Sequence, residues 1–343
     1  MLRIAACAFV VLSIASSARA QLREALTVKS PEGNVEIKLL PGEPRLRFTV
    51  VMNGTTVIEP SPIAFTLDGV DLAEGAAPTP ARQNYAVNEE YPTRGAHALA
   101  VNYCNGIRQT MKHAGSGQEF TIDLRAYRNG AAFRFIVPGD AGKGHVPDET
   151  TTFTLPAGTM AWSHNLRGHY EGVYEKRDVA AIESGTWHAS PITFKLPGGA
   201  YAVVTEAALA NYSGMALEAD GQRGFRIGLG HRQPVSHPYE LRYTKEDIAR
   251  LSKPAVIDGT ITTPWRVVML APDLNGLVNS DLITNLNPPP DKKLFPEGAL
   301  TAWVLPGRAV WRYLDNEIVA PDARSTTRPT TQPTTAPAAT PPL

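Results

Sequence analysis

Glu206 is the side chain whose position asks for an explanation. It interrupts an apolar run from Tyr201 to Leu209, and at a period of two it shares a face with Ala202, Val204 and Ala208. A carboxylate on a core face needs a cation, a hydrogen-bond network or solvent at a strand end to compensate its burial. Within the chain, Arg226 and Arg266 are candidate partners. A second concentration of chemistry is the stretch from Trp162 to Glu175, where Trp162, His164, Tyr170 and Glu171 combine aromatic faces with hydrogen-bonding groups. That combination suits a sugar ring or a polar interface, and it also suits a surface loop anchored by Trp162 and Tyr170. His164 and His169 stand five apart, which fits neither the helical two-histidine zinc motif nor a zinc finger.

Other acidic and nucleophilic residues are placed less favourably. Glu89 and Glu90 are adjacent, so on a strand they point to opposite faces and make a poor acid/base pair. Asp148 and Glu149 fail the same test, and their position just after Pro147 reads as a solvated turn. Cys104, among Val101, Tyr103 and Ile107, reads as a buried small hydrophobe. The sequence contains no Gly-x-Ser-x-Gly elbow, phosphate-binding loop or Rossmann fingerprint.

The elements that must position these residues are mostly strands. Short β-branched and aromatic segments separated by Gly, Pro, Asn and Asp recur from Leu26 to Leu270, the pattern of an antiparallel β-sandwich. The clearest hairpin joins Phe120–Tyr127 to Ala131–Val137 through Arg128-Asn129-Gly130, and Asn-Gly predicts a type I′ turn. Similar hairpins are expected around Ser30–Asn34, Asn53-Gly54 and Pro197–Gly199. Helix signals are few. Lys245–Leu251 is one, and Leu274–Leu286 is another, with Asp273 as its N-cap and Pro288-Pro289 as its stop.

Bulk features bound the function classes. Residues 1–20 read as a secretory signal peptide, with an apolar run from Ile4 to Ala15 and small residues before a cleavage point after Ala20, so the expectation is a secreted or periplasmic protein. The leader removes Cys7 and leaves Cys104 without an internal disulfide partner. No later stretch has the apolar length of a membrane span. A net charge of zero and the absence of a Lys/Arg block exclude a nucleic-acid binder. The sandwich is expected over 22–272, with a helical connector and a further stub over 273–318. The Thr/Pro tract over 319–343 reads as a disordered tail that cannot bury a core.

Five segments in order resemble the N-terminal domain of glycoside hydrolase family 97, whose members cleave α-linked glucosides or galactosides. They are Val28–Gly33, Arg125–Arg134, Thr205–Leu209, Asn211–Met215 and Thr263–Met269. The resemblance implies a large β-sandwich of the galactose-mutarotase type. It continues through Leu277–Leu282 and Asn285–Pro289, similar to the family's connector, and through Trp303–Tyr313, similar to the lead into its barrel's first strand. In the family the barrel carries the general acid, the general base and most of the sugar subsite, so this chain departs from the pattern by lacking nearly all the catalytic machinery. A Glu of the Thr205–Leu209 segment helps the barrel hold calcium, and residue by residue that Glu is Glu206 here. Calcium takes about six to eight oxygen ligands, so Glu206 alone does not complete a site.

The first reading is therefore an accessory domain of an α-glycosidase, with an α-linked oligosaccharide as ligand, calcium as cofactor and a barrel domain, separate or missing, as partner. A non-catalytic secreted carbohydrate-binding protein is the alternative, and an envelope interaction module is a third.

Overall fold

In the computed structural model, residues 25–42, 44–94, 97–166, 172–234, 245–305 and 307 are described. The leader and the Thr/Pro tract both lie outside them. The described chain divides after Ala299, and the unit ending there holds the sandwich.

The chain begins with a meander of four strands, β1 (Leu26–Lys29), β2 (Val35–Leu40), β3 (Arg47–Met52) and β4 (Thr55–Pro62). Asn53 and Gly54 both have positive φ, 50° and 78°, the conformation a type I′ turn requires. Two short strands follow, β5 (Phe65–Leu67) and β6 (Val70–Asp71). A long antiparallel run comes next, made of β7 (Ala76–Pro92), β8 (Leu99–His113), β9 (Glu119–Tyr127) and β10 (Gly130–Val137). Short pieces then supply β11 (Gly144–His145), β12 (Pro147–Glu149), β13 (Thr152–Thr154), β14 (Met160–Ser163) and β15 (Glu175–Asp178). The strands β16 (Trp187–Ala189), β17 (Ile192–Lys195), β18 (Tyr201–Ala207), β19 (Met215–Ala219) and β20 (Gly224–Leu229) precede the helix α1 (Lys245–Leu251). Finally come β21 (Ile257–Asp258), β22 (Ile261–Thr262), β23 (Trp265–Ala271) and two helices, α2 (Leu274–Val278) and α3 (Leu282–Leu286).

One layer is a ten-stranded sheet in the order β15-β14-β17-β18-β23-β10-β9-β8-β7, with β22 also on β10. The other layer consists of three smaller sheets, β1-β2-β3-β4, β12-β5-β6 and β13-β20-β19-β16. They abut where β13 meets β4 and β12 meets β20. Alternation explains the layering: Phe120, Ile122, Leu124 and Ala126 of β9 are buried inward, while the residues between them face out. Phe48 of β3 meets Phe133 of β10 at 5.0 Å and Phe153 of β13 at 5.6 Å between ring centres, which locks the layers together.

A second, smaller core lies on the outer face of the large sheet, where Cys104, Tyr127, Ala132, Ala207, Trp265 and Val267 pack with Leu282 and Leu286 of α3. This packing corrects two expectations. The hairpin between β9 and β10 turns on Arg128 and Asn129, neither of which has positive φ, so the Asn-Gly pair is not a type I′ turn. Gly130 serves close approach instead: a Cβ there would stand 2.4 Å from Leu282 Cδ2 and 2.6 Å from the Val268 carbonyl oxygen. The helix expected over Leu274–Leu286 is broken in two at Asn279–Asp281. Asp273 does cap α2, accepting from the Gly276 amide, while the side chain of Asp281 is drawn to His97 at 2.7 Å and to the Val101 amide at 3.2 Å. Those bonds fix the turn that lays α3 against the sheet.

Candidate functional site

Glu206 sits on the inner face of β18, directly across from Arg266 of β23 in the antiparallel register. Arg266 is fully buried, and three of its N–H groups are used. Nε and Nη2 donate to the two carboxylate oxygens of Glu149 at 2.9 and 2.6 Å, and Nη1 donates to Glu206 Oε2 at 2.6 Å. Glu206 Oε1 accepts from the Met215 amide at 3.2 Å. Of the two carboxylates, Glu149 is sealed in, while the side chain of Glu206 keeps 15% of its surface exposed. Tyr212 lies beside them, with the guanidinium carbon 6.0 Å from its ring centre.

The electrostatics follow from burial. Desolvation by itself would drive a proton off Arg266, yet the two carboxylates overrule it and raise its pKa. Burial pushes the Glu206 carboxyl above its usual value, and the attraction of Arg266 only partly offsets this. Burial also raises the Tyr212 phenol, reinforced by Glu149, so it stays neutral. With one guanidinium between two carboxylates, the ionised cluster carries a net charge of about −1, and Glu206 is the open end of it.

Glu149 is where the sequence reading needs correction. Asp148 and Glu149 do not form a solvated turn; they are strand residues of β12, 8% and 1% exposed. Glu149 crosses the sandwich to Arg266, and Asp148 accepts from Arg232 Nε at 2.6 Å, with His231 Nε2 at 3.6 Å. The signal was present in the alternation Glu149, Thr151, Phe153, Leu155, every member of which is buried. Beside this cluster Pro147, Tyr212, Ser213, Leu229, His231 and Ile257 line a cavity of about 10 Å³, room for about one water and far too small for a sugar ring.

The stretch around Trp162 is not drawn to Glu206. Trp162 of β14 pairs with Thr193 on the outer face of the large sheet, whereas Glu206 faces inward. The Trp162 ring stands 6.4 Å from that of Tyr201, with Lys176 Nζ 5.3 Å from the Trp162 ring centre. His164 is 3% exposed, its ring meeting Tyr174 edge-on at 5.0 Å. Tyr170 and Glu171 lie outside the described residues. Near His164, the buried His188 has its pKa pushed down to about 4 by burial and by the charge of His164.

A second ionic cluster, which the sequence did not signal, occupies the outer face. Asp123 of β9 is fully buried and accepts from Tyr85 (2.6 Å), Arg108 Nε (3.2 Å) and Arg134 Nη2 (3.2 Å). Arg125 donates to the hydroxyls of Tyr85 and Tyr127, and Arg125 and Arg134 lie 4.7 and 4.3 Å from the Trp265 ring centre. Gly106 makes this possible, because a Cβ there would fall 2.2 Å from the Tyr85 ring.

Among the described residues no group of three or more His, Cys, Asp or Glu could by itself hold a metal ion. Glu206 offers one ligand: its side chain reaches solvent, and its cluster has a surplus negative charge. That is the chemistry of a hard-cation ligand completed from elsewhere.

Comparison with known proteins gives a consistent result. Residues 28–289 match the family described as Glycosyl-hydrolase 97 N-terminal. A probable retaining alpha-galactosidase of Streptomyces bingchenggensis is 28% identical over 290 residues, covering 83% of this chain and 40% of that protein. A retaining alpha-galactosidase of Bacteroides thetaiotaomicron is 22% identical over 324 residues, 88% of this chain and 46% of that one. A Glycoside Hydrolase Family 97 enzyme from Pseudoalteromonas sp. strain K8, solved in complex with panose and with acarbose, superposes with a TM-score of 0.66. It is 26% identical, over 77% of this chain and 38% of that one. The chain thus spans less than half the length of these relatives. No helix among the described residues is long and apolar enough to cross a membrane.

Proposed function

The chain belongs to glycoside hydrolase family 97 through its N-terminal domain, and from that premise we propose that it is the accessory sandwich of a calcium-assisted α-glycosidase, of the α-galactosidase or α-glucosidase class. Glu206 supplies one calcium ligand, and the acid and base carboxylates belong to a barrel domain. The observation that carries this reading is the charge of the Glu149–Arg266–Glu206 cluster: Glu149 engages Arg266 through two hydrogen bonds, Glu206 takes one, and the surplus negative charge rests on the carboxylate that reaches solvent.

In this role the protein's own residues do two things. Arg266 and the Met215 amide fix the Glu206 carboxylate, so little conformational entropy remains to be lost when a cation arrives. Glu149 cancels most of the Arg266 charge that would otherwise repel that cation. Calcium, when bound, would supply a Lewis acid and a fixed positive charge at the reacting sugar. Trp162 and Tyr201, flanked by Lys176 and Lys195, are the surface aromatics that we assign to carbohydrate contact. Residues 1–20 would direct the protein to the periplasm or beyond.

Calorimetric titration of the protein with calcium, alone and with an α-galactoside or α-glucoside present, tests the assignment. Calcium binding in the wild type that disappears in Glu206→Ala supports it. Equal heat in both proteins removes Glu206 as a ligand; if neither gives heat, the titration is repeated with the barrel domain supplied, and binding that Glu206→Ala leaves unchanged there removes it.

A further inference from the structure

Among the described residues the large sheet ends on β7, a 17-residue strand hydrogen-bonded to β8 on one side only. From Pro80 to Asn84, at Ala86, and from Asn88 to Glu90 its residues are exposed. A long bare strand edge is a row of unpaired N–H and C=O groups and therefore a template for another strand. Natural edges are commonly blunted by proline, by bulges or by charges of one sign that repel a second copy. Here Pro78, Pro80 and Pro92 and the irregularity between Pro78 and Arg82 all lie outside the segment Arg82–Glu90. Inside that segment the charges are Arg82 at one end and Glu89 and Glu90 at the other.

We propose that two copies of the chain pair through β7, antiparallel, about a two-fold axis at Ala86. In that register Arg82 of each copy faces Glu90 of the other, so the charged ends of the segment attract twice where a like-charged edge would repel. Centring on Ala86 also lets the pairing run from Arg82 to Glu90 without meeting a proline, each of which lacks a ladder donor. A second observation points to the same edge. Leu99, Val101 and Tyr103 of β8 are 47%, 48% and 40% exposed, and Val101 and Tyr103 lie directly across from Glu90 and Asn88 on one face. A partner strand beside β7 extends this face by one strand: its Arg82 and Asn84 lie beside Glu90 and Asn88, which separate them from the apolar row, and the Arg82 stem leans across Glu90 toward it. The inference rests on the strand edge alone and is independent of the role assigned to Glu206.

Sedimentation velocity of the purified protein across a micromolar concentration series tests it, with circular dichroism to confirm that each variant is folded. The wild type is expected to dimerise. Ala86→Pro removes a donor at the axis, and Arg82→Glu turns both cross-strand pairs repulsive; each is expected to weaken the dimer by about tenfold or more. The double variant Arg82→Glu/Glu90→Arg restores attraction and is expected to dimerise again. A wild type that stays monomeric throughout, or a dimer indifferent to both single substitutions, overturns the proposal. Loss of the dimer in Arg82→Glu without recovery in the double variant overturns this register.

Discussion

The two faces of the large sheet each carry a buried ionic cluster, and the two are built in opposite proportions. Inside the sandwich one arginine, Arg266, is shared between two carboxylates, Glu149 and Glu206. On the outer face one carboxylate, Asp123, is shared between Arg108 and Arg134, with Arg125 held by phenols nearby. The inner cluster is left negative and ends on a carboxylate that reaches solvent. The outer one is left positive, and its excess charge is spread over the faces of Tyr85 and Trp265, where guanidinium groups stack at 4.3 to 5.6 Å. Aromatic faces disperse the cationic excess outside, whereas the inner anion is held by N–H donors, the Met215 amide and Arg266. The two clusters therefore differ in the sign of the charge left over and in where it lies, on aromatic faces outside and on a solvent-reaching carboxylate inside.

The largest effect expected is that of Arg266→Met. It strands two carboxylates in the interior and should destabilise the fold by about 3–5 kcal/mol in denaturant unfolding. A loss below about 1 kcal/mol would mean that the inner cluster is hydrated and not a buried ion network.

Asp123→Asn should be milder, about 2 kcal/mol, because Arg108 keeps 41% of its side chain exposed and the aromatic faces retain their cations. If it proved as damaging as Arg266→Met, the contrast drawn between the two clusters would fall. Gly106→Ala probes the outer cluster sterically. It must push the Tyr85 ring away from Asp123, for about 1–2 kcal/mol, and should leave the chemistry around Glu206 untouched.

The smallest effect is that of Glu206→Gln, within about 1 kcal/mol at neutral pH, since Glu149 still holds Arg266 by two hydrogen bonds. Its signature is in pH dependence. Burial raises the folded-state pKa of Glu206 above the ordinary 4.5, so the folded protein holds that proton more tightly than the unfolded chain does. The contribution is fully present below 4.5 and is lost as pH rises through the folded-state value. The stability of the wild type relative to Glu206→Gln should accordingly fall with rising pH in that window. A difference that rises with pH would mean that Arg266 outweighs desolvation at Glu206.

Much of the fold was legible in local sequence. The hairpins of β1 with β2, β3 with β4 and β17 with β18 fall where period-two alternation and turn residues place them. Glu206 announced itself by breaking an apolar strand, and Arg266 was one of two candidate partners; the other, Arg226, instead pairs with Glu218. Asp148 and Glu149 were misread because adjacency to Pro147 suggested a turn, whereas Pro147 begins an inner strand on β5. The break in the helix after Val278 was likewise invisible, since it depends on His97 and on the Val101 amide, both far away in sequence.

The sequence by itself determined the strands, most of their turns, the family, and the presence of one carboxylate where a core residue belonged. These follow from side-chain alternation and turn conformation, which are properties of a few neighbouring residues. Tertiary structure alone decided which charges meet. Glu149 lies 117 residues before Arg266 and Glu206 lies 60 before it, and the three converge only once strand register and layer packing are complete. A buried charge takes as its partner whatever the other layer brings within about 3 Å, and no local spacing encodes that distance.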